Sequence, residues 1–174
     1  PVMLFPQYRA ALALAGADRV HPADLWKLDW SWLELPVDPT AAPCNADDNA
    51  RSAMETEVLA LMREPGRATL RRMSDLCADL GAGAREQGSM HLCTLWQLAA
   101  AVFEAQAGGL LGADAYTKRI ASRLLAQLRI SVRGQPELSD RLAQDLLFFC
   151  GRATASAQDA PRLQERSERL LLLL

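Results

Sequence analysis

The chain has 174 residues and a formal net charge of −2, and 50% of its residues are hydrophobic. This charge balance excludes a general electrostatic attraction to nucleic acid or to an anionic membrane. No apolar run reaches the roughly 18 residues that a membrane span needs. Because Leu and Ala dominate, composition and apolar periodicity predict an all-α protein, an antiparallel bundle of about five to seven helices with a long N-terminal loop.

The N-terminal part of the sequence predicts one helix followed by a long loop. The helix spans Pro6–Ala15 and ends at Gly16. A short helical turn begins at Pro22, since proline suits the first position of a helix. Residues 36–48 hold three prolines among small polar residues, so we expect a mobile internal loop there.

Three tryptophans lie within seven residues before that segment: Trp26, Trp30 and Trp32. Such a cluster can stack on nucleic-acid bases, but the neighbouring acidic residues would repel a phosphate backbone. We therefore expect these side chains to pin the loop to the bundle.

Two helices separated by Pro65–Gly66 are predicted next. Asp47 or Asp48 caps the first, which ends near Arg63. The second spans about Arg67–Glu86. The predicted apolar positions are Met54, Val58, Leu61 and Met62 in the first helix and Leu70, Met73, Leu76, Cys77, Leu80 and Ala84 in the second, whose end is weakened by Gly81 and Gly83.

The stretch from Ser89 to Arg133 is predicted to organise the fold as two helices folded back on each other. In each half, residues recur at three- and four-residue steps, which is typical of one buried helix face. These positions are Leu92, Leu95, Trp96, Ala99, Val102, Phe103 and Gln106, then Tyr116, Ile120, Leu124, Leu125, Leu128 and Val132. Gly108 is expected to end the first helix in a left-handed conformation, and Asp114 to cap the second.

The last part predicts a helix from Pro136 and a C-terminal helix or tail over residues 155–174, capped by Asp159. Five consecutive leucines, Leu170–Leu174, would cover all sides of a helical turn, so we expect them to pack within the chain or across a homodimer. Both ends look like cuts from a longer protein. Residues 1–174 are thus interpreted as a single helical domain of a longer chain.

The sequence predicts no catalytic, metal or cofactor site. Cys77, Cys93 and Cys150 fall on apolar helix faces, which favours buried thiols in a reducing cytosol. His91 and Cys93 are two residues apart and point to nearly opposite sides of a helix, so they cannot share a metal ion. No glycine-rich loop precedes a helix, so a phosphate-binding motif is absent from the sequence.

A basic helix offers a candidate docking face: Lys118, Arg119, Arg123, Arg129 and Arg133, with no acid between Asp114 and Glu137. Two interpretations stay open. The face is either solvated, with arginine stems covering apolar neighbours, or it is a docking surface for an acidic partner.

Three large side chains also leave two interpretations open. Trp96, Phe103 and Met73 are either ordinary core residues or the lining of a pocket in an all-helical, small-molecule-binding regulator. A cavity among them would favour the second interpretation.

Four phrases carry a resemblance to a known family: residues 19–26 (RVHPADLW), 95–105 (LWQLAAAVFEA), 118–129 (KRIASRLLAQLR) and 141–149 (RLAQDLLFF). Together they resemble the N-terminal region of CheA-type hybrid chemosensory histidine kinases that control type IV pili and twitching motility. A kinase-less regulator of the same pathway shares that region. The resemblance implies a cytoplasmic helical signalling module, related to histidine phosphotransfer domains, whose partners are other proteins of the pathway.

The sequence departs from the active phosphotransfer pattern, His-x-x-Lys-Gly. His91 is followed by Leu-Cys-Thr-Leu and His21 by Pro-Ala-Asp-Leu, so neither has the lysine or the glycine. We therefore predict a non-catalytic interaction module. The alternative is an active phosphotransfer domain that uses His91 as its acceptor.

Overall fold

The computed structural model describes residues 5–16, 32, 34–135 and 137–153. Over these ranges it contains six α-helices and no strand, which confirms the predicted all-α bundle. The helices are α1 Phe5–Leu14, α2 Asp48–Arg63, α3 Arg67–Glu86, α4 Met90–Ala107, α5 Ala115–Val132 and α6 Asp140–Arg152. The chain divides into two compact units, residues 1–31 and residues 32–174, so α1 belongs to the first and α2–α6 to the second.

The first helix agrees with the prediction from the sequence. Gly16 follows it with a φ of 74°, a left-handed conformation that glycine adopts without steric cost. Its N–H donates to the Ala13 carbonyl at 3.2 Å, which closes the last turn. Outside the described residues lie the turn predicted at Pro22, the side chains of Trp26 and Trp30, the Asp159 cap, and the helix or tail over residues 155–174 with its Leu170–Leu174 run.

Helix α4 forms the core of the second unit and is buried on every side. Each residue from Cys93 to Ala107 is buried, and Trp96 and Phe103 are 0% exposed. The sequence predicts one buried face for this helix, whereas in the structure all of its faces are buried from Cys93 onward. Small side chains on the other sides let neighbouring helices approach closely. These small residues include Ala100, Ala101, Ala105 and Ala107.

The pairing of α4 with α5 differs from the predicted hairpin. Helix α4 packs most closely against α3 and also against α6, whereas α5 packs against α2. Two contacts align α5 antiparallel to α2: Lys118 Nζ donates to the Met62 carbonyl, and Arg129 Nη2 donates to Glu55 Oε1, both at 2.8 Å. The connection over residues 108–114 is long enough to carry the chain across the bundle instead of straight back.

Two predicted helix starts are confirmed by their caps. Asp47 Oδ1 accepts the Ala50 N–H at 2.8 Å at the start of α2. At the start of α5, Asp114 Oδ1 accepts the Thr117 N–H at 3.3 Å, and the Thr117 hydroxyl accepts the Asp114 N–H at 3.0 Å. This reciprocal pair is a capping box, which satisfies backbone donors that the helix itself leaves free.

Two predicted boundaries are corrected. Helix α6 begins at Asp140 and not at Pro136, because the Ser139 hydroxyl accepts a backbone N–H of the first turn and caps the helix there. At the end of α4 it is Gly109, with a φ of 78°, that takes the left-handed conformation. Gly108 keeps a right-handed φ of −78° and extends the helical turn by one residue.

Two glycines of α3 permit close packing, a role that the sequence did not reveal. The helix continues through Gly81 and Gly83 to its end at Glu86. A Cβ atom at position 83 would lie 2.0 Å from the Cys44 carbonyl oxygen, and one at position 81 would lie 2.5 Å from Gln97 Nε2. Gly83 therefore allows the 36–48 segment to approach α3 closely, and Gly81 allows α4 to approach α3 on another side.

The segment over residues 36–46 contains no helix or strand and is hydrogen-bonded to α3. The Ala42 N–H donates to Asp79 Oδ1 at 2.8 Å, and the Cys44 N–H donates to the Asp79 carbonyl at 3.0 Å. Gln87 Nε2 donates to Asn45 Oδ1 at 2.9 Å. The mobility of this segment stays a prediction. It can be measured at the backbone amides of Ala42 and Cys44, which donate these hydrogen bonds.

We expect Trp96→Ala to lower the free energy of unfolding by about 3–5 kcal/mol in chemical denaturation. The ring is 0% exposed and its indole N–H has no hydrogen-bond partner in the described part of the chain, so apolar packing is what the change removes. Leu14→Ala, at a side chain that is 92% exposed, should change stability by less than about 0.5 kcal/mol. A loss below about 1 kcal/mol for Trp96→Ala would contradict the burial of α4.

Gly83→Ala is expected to destabilise the protein by about 1–3 kcal/mol, because the added Cβ would overlap the Cys44 carbonyl. Gly151→Ala is the matched control, since Gly151 lies in α6 with nothing within 4 Å of an added Cβ. There the substitution should stabilise the helix, by up to about 0.5–1 kcal/mol. Urea unfolding of both variants checks the opposite signs, and equal effects would refute the close approach at position 83.

Amide hydrogen exchange measures how firmly α3 holds the 36–46 segment. Asp79→Ala should speed exchange at Ala42, whose N–H loses its carboxylate acceptor, and should affect Cys44 less, whose acceptor is a backbone carbonyl. Asp79→Asn keeps an acceptor oxygen and serves as the control. Fast exchange at both amides in the unsubstituted protein would mean that the segment is mobile despite these bonds.

Candidate functional site

A cleft of about 590 Å³ lies at the end of the bundle where α4 begins and α5 ends. Its lining residues are Ala46, Gln87, Gly88, Ser89, Met90, His91, Leu92, Ser131, Gly134, Gln135 and Leu138. His91 is the one titratable side chain in this set, and the set contains no lysine or arginine. The cleft is thus a depression with a mixed polar and apolar lining around one histidine.

His91 is the second residue of α4, and its side chain is exposed. The Trp32 indole stacks on the imidazole with 5.1 Å between ring centroids and 14° between ring planes. Trp32 Nε1 also donates to Asp140 Oδ1 at 2.9 Å. Trp32 therefore joins the start of α4 to the start of α6.

The residues after His91 differ from the active phosphotransfer pattern in identity and in exposure. In the active pattern the third and fourth residues after the histidine are lysine and glycine, on an exposed face. Here they are Thr94 and Leu95, which are 3% and 0% exposed. The face of α4 that would meet a partner is therefore packed against the protein interior. His21 lies outside the described residues.

Three of the five predicted docking residues are engaged within the protein. Lys118 donates to the Met62 carbonyl in the last turn of α2, where a cation also complements the helix dipole. Arg129 pairs with Glu55 across the same two helices. Arg123 forms an ion pair with Asp145 of α6, whose side chain is 2% exposed, and it therefore neutralises a buried charge.

The other two predicted docking residues remain at the surface. Arg119 is exposed, and its guanidinium carbon lies 5.9 Å from the ring centroid of Tyr116 on the same helix. Arg133 is exposed just after the last residue of α5. The structure thus divides the predicted basic face into residues that fasten α5 to its neighbours and residues that face solvent.

Sequence reasoning missed one surface residue, Leu59. It is 61% exposed, and with Leu14 it forms the pair of large exposed hydrophobic side chains in the described part of the chain. The sequence pattern could have indicated this exposure, because Leu59 falls outside the predicted apolar face of α2. Met54, Val58 and Leu61 form that face. At 100° per residue, Leu59 points about 100° away from Val58.

The cysteines offer no reactive site. Cys77, Cys93 and Cys150 are buried as predicted, and Cys44 is half-buried. Burial raises the pKa of the Cys44 thiol, and the charges of Asp47 and Asp79 raise it further, so the nucleophilic thiolate is disfavoured. Within the described ranges no group of His, Cys, Asp and Glu side chains is arranged to hold a metal ion.

The candidate pocket residues belong to the core. Trp96, Phe103 and Met73 are each 0% exposed, and none of them lines the cleft at His91. Their burial supports the interpretation as ordinary core residues. None of the helices that the structure describes combines the length and apolarity needed to cross a membrane.

Comparison with known proteins identifies the family. A profile described as the FimL scaffold protein second domain matches residues 39–168, a range that contains all of α2–α6. No curated protein and no solved structure matches the chain. The match confirms the coarser part of the resemblance seen in the sequence, a scaffold-like protein. The chain belongs to the family of FimL scaffold protein second domains.

Proposed function

We propose that the chain is a non-catalytic interaction module of a chemosensory pathway that controls type IV pili and twitching motility. Its fold is related to histidine phosphotransfer domains but has no acceptor histidine. The family match supports the scaffold role, and the resemblance of residues 95–105 and 118–129 to pilus-controlling hybrid kinases supports the pathway. The module works in the cytoplasm and binds other proteins of the pathway. A homodimer through Leu170–Leu174 stays a prediction.

The burial of α4 is the observation that carries this proposal. Phosphoryl transfer to a histidine needs an exposed imidazole, a neighbouring cation and room for in-line approach. Helix α4 is accessible only over Met90–Leu92, and everything from Cys93 to Ala107 is buried. A receiver domain that docked on this helix would therefore meet core residues instead of a free face.

An active phosphotransfer domain that uses His91 is the second candidate. His91 is exposed, borders the cleft and lies in the first turn of a helix, where backbone N–H groups favour an anion. Against this candidate, no cation is present in the described lining of the cleft to offset the phosphoryl charge. Trp32 also stacks on the imidazole ring.

Incubation with a phosphorylated receiver domain from the same host, or with its kinase and ATP, should leave no acid-labile phosphate on the protein. A working phosphotransfer domain in a parallel reaction shows that the donor is competent. In the host, His91→Gln should keep twitching motility close to that of the parent strain, whereas Trp96→Ala should reduce it by destabilising the core. Acid-labile phosphate that disappears in His91→Gln would restore the active phosphotransfer function.

A further inference from the structure

The outer surface of the α2–α5 pair is fixed by two cross-links. The Lys118 ammonium bonds to the Met62 carbonyl at one end, and the Arg129 guanidinium bonds to Glu55 at the other, each at 2.8 Å. We call the line along which these two helices meet the seam. The seam therefore has a defined register, and the residues between the cross-links can be placed on it.

Leu59 stands between these cross-links. It lies one helical turn after Glu55 on α2, and its side chain is 61% exposed. The facing stretch of α5 presents Ser122 and Ala126, both exposed and both small. A large exposed apolar side chain thus lies beside a strip of small exposed side chains on α5.

Positive charge surrounds this apolar point. The exposed residues of α5 recur at three- and four-residue steps along the outer face: Arg119, Ser122, Ala126, Arg129 and Arg133. Glu55, the acid at one end of the seam, pairs with Arg129 at 2.8 Å and lies 3.9 Å from Arg51. Arg119 and Arg133 are thus left to attract acidic groups at the two ends of the strip.

We infer that this α2–α5 surface binds an acidic amphipathic helix of a partner protein, an inference that rests on the proposed scaffold function. An apolar residue of the partner covers Leu59, and carboxylates on either side pair with Arg119 and Arg133. The strip from position 119 to 133 is roughly 21 Å long at 1.5 Å per residue, which matches about four turns of helix.

Charge argues against an occupant from the chain itself. Residues 154–174 carry three acidic and three basic side chains and so bring no net negative charge to a basic strip. The acidic 36–48 segment is hydrogen-bonded to α3 at Asp79 and is engaged there. A separate acidic protein segment fits the surface best.

The test uses the whole chain and three synthetic 18-residue peptides. One places leucines on one helix face with glutamates beside them, the second scrambles the same residues, and the third replaces glutamate by lysine. In fluorescence anisotropy the first should bind, with affinity falling as salt rises, and the other two should not. In ¹H–¹⁵N spectra its addition should shift the amides of Leu59, Ser122 and Ala126.

Matched variants separate the two contributions to binding. Leu59→Ser should weaken binding of the first peptide roughly tenfold, the loss expected for one apolar contact, and Leu14→Ser should leave it unchanged. Arg119→Gln with Arg133→Gln should weaken binding and reduce its salt dependence, whereas Arg67→Gln with Arg71→Gln, both exposed on α3, should do neither. Unchanged thermal unfolding of each variant shows that the fold is intact.

Several outcomes would overturn the inference. Equal binding of the scrambled peptide would reduce the surface to a nonspecific basic patch, and tighter binding of duplex DNA in competition would make it a nucleic-acid surface. A lower mass by light scattering in Leu59→Ser alone would make it an interface between copies of this chain. If twitching motility is unchanged in Leu59→Ser, docking takes place on another surface, and the scaffold proposal stands. Acid-labile phosphate on the protein would refute the scaffold proposal but would leave the inferred peptide-binding surface untouched.

Discussion

The burial of one alanine-rich helix on every side is the constraint on which the rest of the structure depends. Because α4 has no exposed face from Cys93 to Ala107, hydrogen bonds to its polar groups come from neighbouring helices inside the protein. The Ser74 hydroxyl donates to the Ala100 carbonyl at 2.8 Å, and Gln106 Nε2 donates to the Thr117 hydroxyl at 2.7 Å. These bonds tie α3 and α5 to the central helix in a defined register.

The same burial decides where the protein can be functional. From Cys93 to Ala107, α4 has no exposed side chain that another protein could contact. The accessible surface is formed by the outer faces of the other helices, α2 and α5 among them, and by the cleft at the start of α4. The family match, to a domain of a scaffold protein, is consistent with a bundle that binds other proteins through its outer faces.

Charged residues of α5 show how one sequence pattern serves two purposes. Arg123 pairs with Asp145, a carboxylate that is 2% exposed and lies 3.1 Å from Arg141 Nε as well. A buried carboxylate is tolerated only when cations compensate its lost hydration, so Arg123 is part of the architecture. Arg119 of α5 and Arg133, the residue that follows α5, are exposed to solvent.

The sequence by itself determined the helices, most of their ends and the departure from the His-x-x-Lys-Gly pattern at His91. Apolar periodicity, the Asp47 and Asp114 caps and the Pro65–Gly66 break are local signals, and they act through hydrogen bonds and dihedral angles within a few residues. Tertiary structure alone decided which helices pair, why Gly83 must be glycine and which arginines of α5 are free. Those properties depend on atoms that are far apart in the chain, such as the Cys44 carbonyl beside Gly83 and Asp145 beside Arg123, and no local pattern encodes such distances.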